Sequence, residues 1–286
     1  MEPPPSNEPG QRGSGFGPSA PAAGAAPDEP SAPIAGGRTV GIGRGVSWLG
    51  EAWQLFKDAP GSWVAIFLIF IVMMIVLAVI PVLGNIAGAL ISPILIGGMM
   101  AGCRALERND ELTVAHMFAG FSERGGPLFI LGLLEFAISL IAMLIAAAII
   151  FFTVGAMFLG VLMGKVPESL PTLDPAYIIG ALAVVLVVVA LFIPVTMAIW
   201  FAPALVMLDK VEPWTALKWS FTACLRNTGA FLLYGIVWML LGIVATIPLG
   251  LGWLLLGPVT IASVYTAYRD IFFVVSRPPR LHGVLR

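Results

Sequence analysis

Polar and apolar positions along this chain fall into long blocks rather than mixing. From Gly61 to Cys103 no Asp, Glu, Lys or Arg occurs, and Pro81-Val82-Leu83-Gly84-Asn85 breaks the run near its middle. An apolar helix of about 20 residues crosses a bilayer core, so this length predicts two crossings joined by a tight turn. Further uncharged blocks follow. One covers Gly125–Gly164, interrupted only by Glu135, and another covers about Tyr177–Leu208 with Pro194 and Pro203 inside. The last, Thr228–Tyr268, is broken at Pro248-Leu249-Gly250-Leu251-Gly252, which predicts a second clean hairpin. Together these predict six spanning helices.

Short amphipathic stretches precede the hairpins. Leu49, Ala52, Trp53 and Phe56 recur at helical spacing, as do Val114, Met117, Phe118 and Phe121, and then Trp214, Leu217, Phe221 and Leu225. Tryptophan-bearing stripes directly before a span predict helices lying in the membrane interface, with Trp48, Trp53, Trp214 and Trp219 as anchors. The entries also look alike. Lys57-Asp58-Ala59-Pro60, Arg124-Gly125-Gly126-Pro127 and Arg226-Asn227-Thr228-Gly229 each set a base ahead of the Pro or Gly that opens an apolar run. A slide of 102 residues lays Glu107 on Asp209 and Arg124 on Arg226; a slide of 165 lays Pro93 on Pro258 and Arg104 on Arg269. The expected plan is all-α: three parallel units of interfacial helix plus hairpin.

Composition agrees with the membrane reading. The 286 residues are 59% hydrophobic and 11% charged, against about 25% charged in soluble domains. Residues 1–45, rich in Pro, Gly, Ala and Ser, predict a disordered tail without the basic and apolar regions of a signal peptide. Residues 46–275 form the membrane domain and 276–286 a short basic tail. A net charge of −1 offers no electrostatic footprint for nucleic acid. Fourteen of the fifteen basic residues fall on one side of the six-helix plan and Lys165 alone on the other, so both termini are expected in the cytoplasm.

Candidate chemistry is sparse. Glu135, about 12 Å into the third helix from Pro127, is the carboxylate set within a span, and such an acid is a candidate proton or cation site. His116 reads as an exposed interfacial residue, and Cys103 and Cys224 as small packing residues. Gly84 and Gly88, and Gly98 and Gly102, have the four-residue spacing that lets helices approach closely in lipid. No catalytic cluster, metal-ligand spacing or cofactor loop is visible, so no enzyme activity, metal or cofactor is expected.

Trp53-Gln54-Leu55-Phe56-Lys57-Asp58-Ala59-Pro60, the segment Ser92–Leu106, and Ala115-His116-Met117-Phe118-Ala119-Gly120-Phe121 resemble a family of uncharacterised proteobacterial multi-pass inner-membrane proteins. The resemblance covers about residues 46–275 and implies inner-membrane placement. More distantly the plan looks like the membrane domain of glycerophosphodiester phosphodiesterases, without their catalytic domain. The function expected is an interaction or membrane-organising role. Its partners would be membrane lipids and a membrane protein or further copies of the chain. The alternatives are a small-solute or proton-coupled transporter and a lipid-modifying enzyme.

Overall fold

The computed structural model describes residues 32–163 and 175–274, which form nine helices and no strand. Helix α1 (Arg44–Asp58) is amphipathic, and α2 (Pro60–Val79) and α3 (Leu83–Glu107) make the first hairpin. Helix α4 (Ala115–Leu162) is two helices in one. Non-helical torsions at Arg124 (φ −141°, ψ 27°) separate an amphipathic stretch at 115–123 from a long apolar one. Helices α5 (Pro175–Ile199) and α6 (Ala202–Leu208) follow, then α7 (Pro213–Arg226), α8 (Thr228–Thr246) and α9 (Trp253–Phe272). The loop predicted around Lys165 and the basic tail at 276–286 lie outside the described residues.

Five helical stretches are long and apolar enough to cross a membrane: Pro60–Val79, Leu83–Glu107, Ala115–Gly155, Ile178–Leu208 and Thr228–Thr246. The sixth expected span, α9, has the length but not the hydropathy. The cause is its position: thirteen of its residues are buried, among them Ser263, Thr266 and Asp270. A helix enclosed by protein tolerates polar groups that one facing lipid does not.

The three amphipathic helices dock in a regular order. Helix α1 packs mainly on α9 and α8, stretch 115–123 packs on α3, and α7 packs on α5 and α6. Each therefore lies against a hairpin other than the one it leads into. The approach is closest where glycine removes the side chain. An added Cβ at Gly98 would sit 2.3 Å from the backbone oxygen of Met117, and one at Gly120 would sit 2.1 Å from that of Ile94. Gly102 faces Leu112 and His116, and Gly84 faces Leu77 of its own hairpin. The spaced glycines thus serve contacts inside the chain. They are not a face left for a partner.

The block holding Pro194 and Pro203 breaks at Trp200-Phe201, just before Pro203 in the first turn of α6. Proline has no N–H to give to the preceding turn, so the ladder opens there. Ser220 of α7 closes the gap: the Phe201 N–H donates to its Oγ (2.9 Å), and that hydroxyl donates to the Met197 carbonyl (2.7 Å).

The membrane domain starts earlier than residue 46. Residues 34–40 are bound, not a tail. Ile34 N–H donates to Phe272 O (2.8 Å), Arg38 N–H to Ile271 O (2.8 Å), and Val40 N–H to the Asn227 side chain (2.8 Å). Gly37 (φ +69°) makes the turn, where a Cβ would strike Ile271 at 2.6 Å. Backbone hydrogen bonding anchors this segment despite its loop-like composition. Residues 1–31 of the predicted tail lie outside the described residues.

Candidate functional site

The ends of α3, α6 and α9 meet at one side of the bundle, beside α1 and the strap at 34–40. Asp270, nearly buried near the end of α9, collects four donors. Arg38 reaches it with Nη2 (2.7 Å), Arg44 with Nε (2.5 Å) and Trp48 with Nε1 (2.9 Å), while Arg38 Nε also donates to the Asp270 carbonyl (2.7 Å). Burial lowers the Arg44 pKa, but Asp270 and Glu51 together hold it above its usual value. Glu51 bridges Arg44 and Arg269, each at 2.8 Å, and Arg269 also pairs with Glu107. Next to it, Asp209 accepts from Tyr268 and lies 3.6 Å from Arg104, whose Nη1 donates to Leu208 O. Burial pushes the Asp209 carboxyl above its usual range, against the pull of Tyr268 and Arg104.

Slides of 102 and 165 lay Glu107 on Asp209 and Arg104 on Arg269, and the network pairs these residues crosswise, Arg104 with Asp209 and Arg269 with Glu107. The two acid–base pairs are related by the register of the sequence. The network is also charge-satisfied. Its groups hold helix ends together, and a carboxylate surrounded by fixed cations is poorly placed for proton chemistry.

Trp48 belongs to this network and is not an interfacial anchor. It is fully buried, with its indole N–H on Asp270 and its carbonyl accepting from Thr266 (2.9 Å). Trp219 is half-buried and packs on the core. Trp53 and Trp214 do face outward, 41% and 53% exposed. Their helices share an unusual arrangement. In α7 the inward face is Ala216, Leu217, Ser220, Ala223 and Cys224, while Trp214 and Leu225 point away. In stretch 115–123 the small Gly120 is inward and Phe118 and Phe121 are outward. Small residues pack inward beside Met117 and Leu217, while Phe118, Phe121 and Trp214 project. Of the stripe read from the sequence for α7, Leu217 is inward but Trp214 and Leu225 face out, which suits a helix whose outer face meets lipid.

Glu135 sits on the face of α4 shared with Leu128, Leu131 and Gly132, the face that meets α3 at Leu90. It is 8% exposed, and its Oε1 is buried without a partner among the described residues. The arrangement brings no second ionisable group to it from the network at the helix ends. His116 is half-buried and local: the Thr113 N–H donates to its Nδ1 (3.1 Å), which fixes the start of the helix. Cys103 and Cys224 are free and buried, and burial pushes the Cys224 thiol up to about 12, so it is inert in the folded state. Among the described residues no group of His, Cys, Asp and Glu is arranged to hold a metal.

Residues 131–277 match the family described as Domain of unknown function (DUF7847). Over 211 residues the chain is 30% identical to the Probable inner membrane protein BTH_II0599 of Burkholderia thailandensis, covering 70% of this chain and 73% of that one. No solved structure matches. The distant likeness to glycerophosphodiester phosphodiesterases finds no support in these matches. With an all-α fold, five stretches fit to cross a bilayer and these two matches, the chain belongs to the DUF7847 family and is an integral inner-membrane protein.

Proposed function

We propose that this protein is a membrane-organising or interaction protein rather than an enzyme. In this reading it crosses the inner membrane six times as three parallel units, with both termini in the cytoplasm. Its amphipathic helices grip the cytoplasmic leaflet. The observation that carries this is the outward set of aromatics, Trp53, Phe118, Phe121 and Trp214, on amphipathic helices whose opposite faces pack into the bundle. Exposed aromatics of this size on helices beside a membrane call for lipid or a partner to cover them. The unit reading draws on the cyclic docking order and on Asn109 (φ 64°) and Lys210 (φ 59°), which end α3 and α6 in the same left-handed turn. Purified in a lipid-retaining disc, the wild type should carry a reproducible lipid or membrane-protein companion. Trp53→Ala with Phe121→Ala should lose it while keeping the fold. A wild type that emerges bare contradicts the reading.

A second reading rests on Glu135. An intramembrane acid with an orphaned oxygen is the kind of group that takes up a proton or small cation. If it does so, a lipid-soluble carbodiimide should label Glu135 in native membranes, and Glu135→Gln should abolish both labelling and any proton flux in vesicles. An unlabelled Glu135 beside labelled control carboxyls would make it a packing residue.

A further inference from the structure

A groove of about 340 Å³ lies between the start of the spanning part of α4 and the turn into α7. Arg124, Pro127, Ile130 and Leu134 line one side, and Glu212 and Trp214 the other. We infer that this groove binds one phospholipid with a zwitterionic phosphate–ammonium headgroup, phosphatidylethanolamine being the simplest example. The inference rests on the membrane placement of α4 and α7 proposed above and adds the identity of the ligand.

Charge is the first argument. Arg124 and Glu212 line one groove, yet neither is in an ion pair among the described residues. A cation and an anion that line one cleft without pairing match a ligand carrying both signs. The phosphate would meet the Arg124 guanidinium in its fork geometry. The ammonium would meet the Glu212 carboxylate beside the face of Trp214.

Order along the helix is the second argument. Arg124, Pro127, Ile130 and Leu134 follow one another along a single face of α4, spanning roughly 15 Å at 1.5 Å per residue. The charge stands at the end where the span begins, and the apolar groups run inward from it. A phospholipid has the same sequence: headgroup, then chain. Ile130 is half-exposed, leaving apolar surface for an acyl chain to cover. An anionic headgroup would satisfy Arg124 but leave the Glu212 carboxylate without a cation from the ligand.

The test is native mass spectrometry of the full chain released from discs of equal phosphatidylethanolamine and phosphatidylglycerol. The wild type should retain one phosphatidylethanolamine in preference to phosphatidylglycerol. Arg124→Gln should weaken retention roughly tenfold, the effect of losing a hydrogen bond to a charged group. Glu212→Gln should keep a lipid but move the preference toward phosphatidylglycerol. Ile130→Trp, which fills the groove without touching either charge, should also expel the lipid. Preferential retention of phosphatidylglycerol by the wild type, or variants that retain lipid as the wild type does, would overturn the assignment. Loss of companions in the Trp53→Ala, Phe121→Ala protein with the single groove lipid kept would separate the two proposals, because neither residue lines the groove.

Discussion

Asp270→Ala will unfold this protein at markedly lower temperature, with a loss of about 3 kcal/mol or more. Breaking a buried ion pair from one side costs about this much, because the partners are left without their counter-charge. Here one carboxylate, 5% exposed in its side chain, holds Arg38, Arg44 and the indole of Trp48. Its removal orphans the Trp48 N–H in a fully buried site and takes away the side-chain ties of Arg38 and Arg44 to α9. Arg38 and Arg44 are more than a third exposed and can turn toward water, which limits the loss. Glu51→Gln should cost far less, since Arg44 keeps Asp270 and Arg269 keeps Glu107. The readout is built in: Cys103 and Cys224 are buried and free, so the onset of reaction with a thiol-reactive dye marks unfolding. An Asp270→Ala protein with the wild-type midpoint would show that the network does not hold the helix ends.

Gly98→Ala should be at least as damaging. A single methyl there would lie 2.3 Å from the Met117 carbonyl oxygen and 2.5 Å from that of His116. Both are backbone atoms, so relief comes only by prising α3 from stretch 115–123. Overpacking of an ordinary core costs about 1–3 kcal/mol. In lipid the penalty is felt more fully, because helix association depends on close packing rather than on expulsion of water. Gly120→Ala, aimed at the Ile94 oxygen from the other side of the same crossing, should behave alike. Gly155→Ala is the control. Among the described residues nothing lies within 4 Å of its added carbon, and exchanging glycine for alanine in a helix should leave stability equal or raise it by up to about 1 kcal/mol. Equal midpoints for Gly98→Ala and Gly155→Ala would refute the close crossing.

What the sequence could and could not reveal follows from the range of each interaction. Spans are local, so block lengths place α2, α3, α4 and α8 well. The stripe of α1 is local too, and Leu49, Ala52 and Phe56 are inward as their spacing predicts. Trp48 was misjudged because its partner, Asp270, lies 222 residues away, and no periodicity reports such a pair. The strap at 34–40 was hidden for a related reason. Its bonds use backbone N–H groups, which every residue but proline has, so composition says nothing of them. In α7 Leu217 is inward as the stripe predicts, but Trp214 and Leu225 face out and Ala216, Ser220, Ala223 and Cys224 fill the inner face. A hydrophobic stripe marks the buried side in water; where lipid can cover the outer face, large apolar residues project as well. Glu135 was legible as a lone acid in an apolar run, though its orphaned oxygen needed coordinates.

The proposed arrangement of six crossings, with all three amphipathic helices on the cytoplasmic side, depends most on α9. Single cysteines placed at Asn85, Glu111, Lys210, Leu249 and Val274, in a background lacking Cys103 and Cys224, test it in intact cells with an impermeant thiol reagent. Cysteines at 85 and 249 should label from outside. Those at 111, 210 and 274 should label only after the cells are opened. Labelling at both 249 and 274 from outside would mean that α9 does not cross, and it would contradict the account.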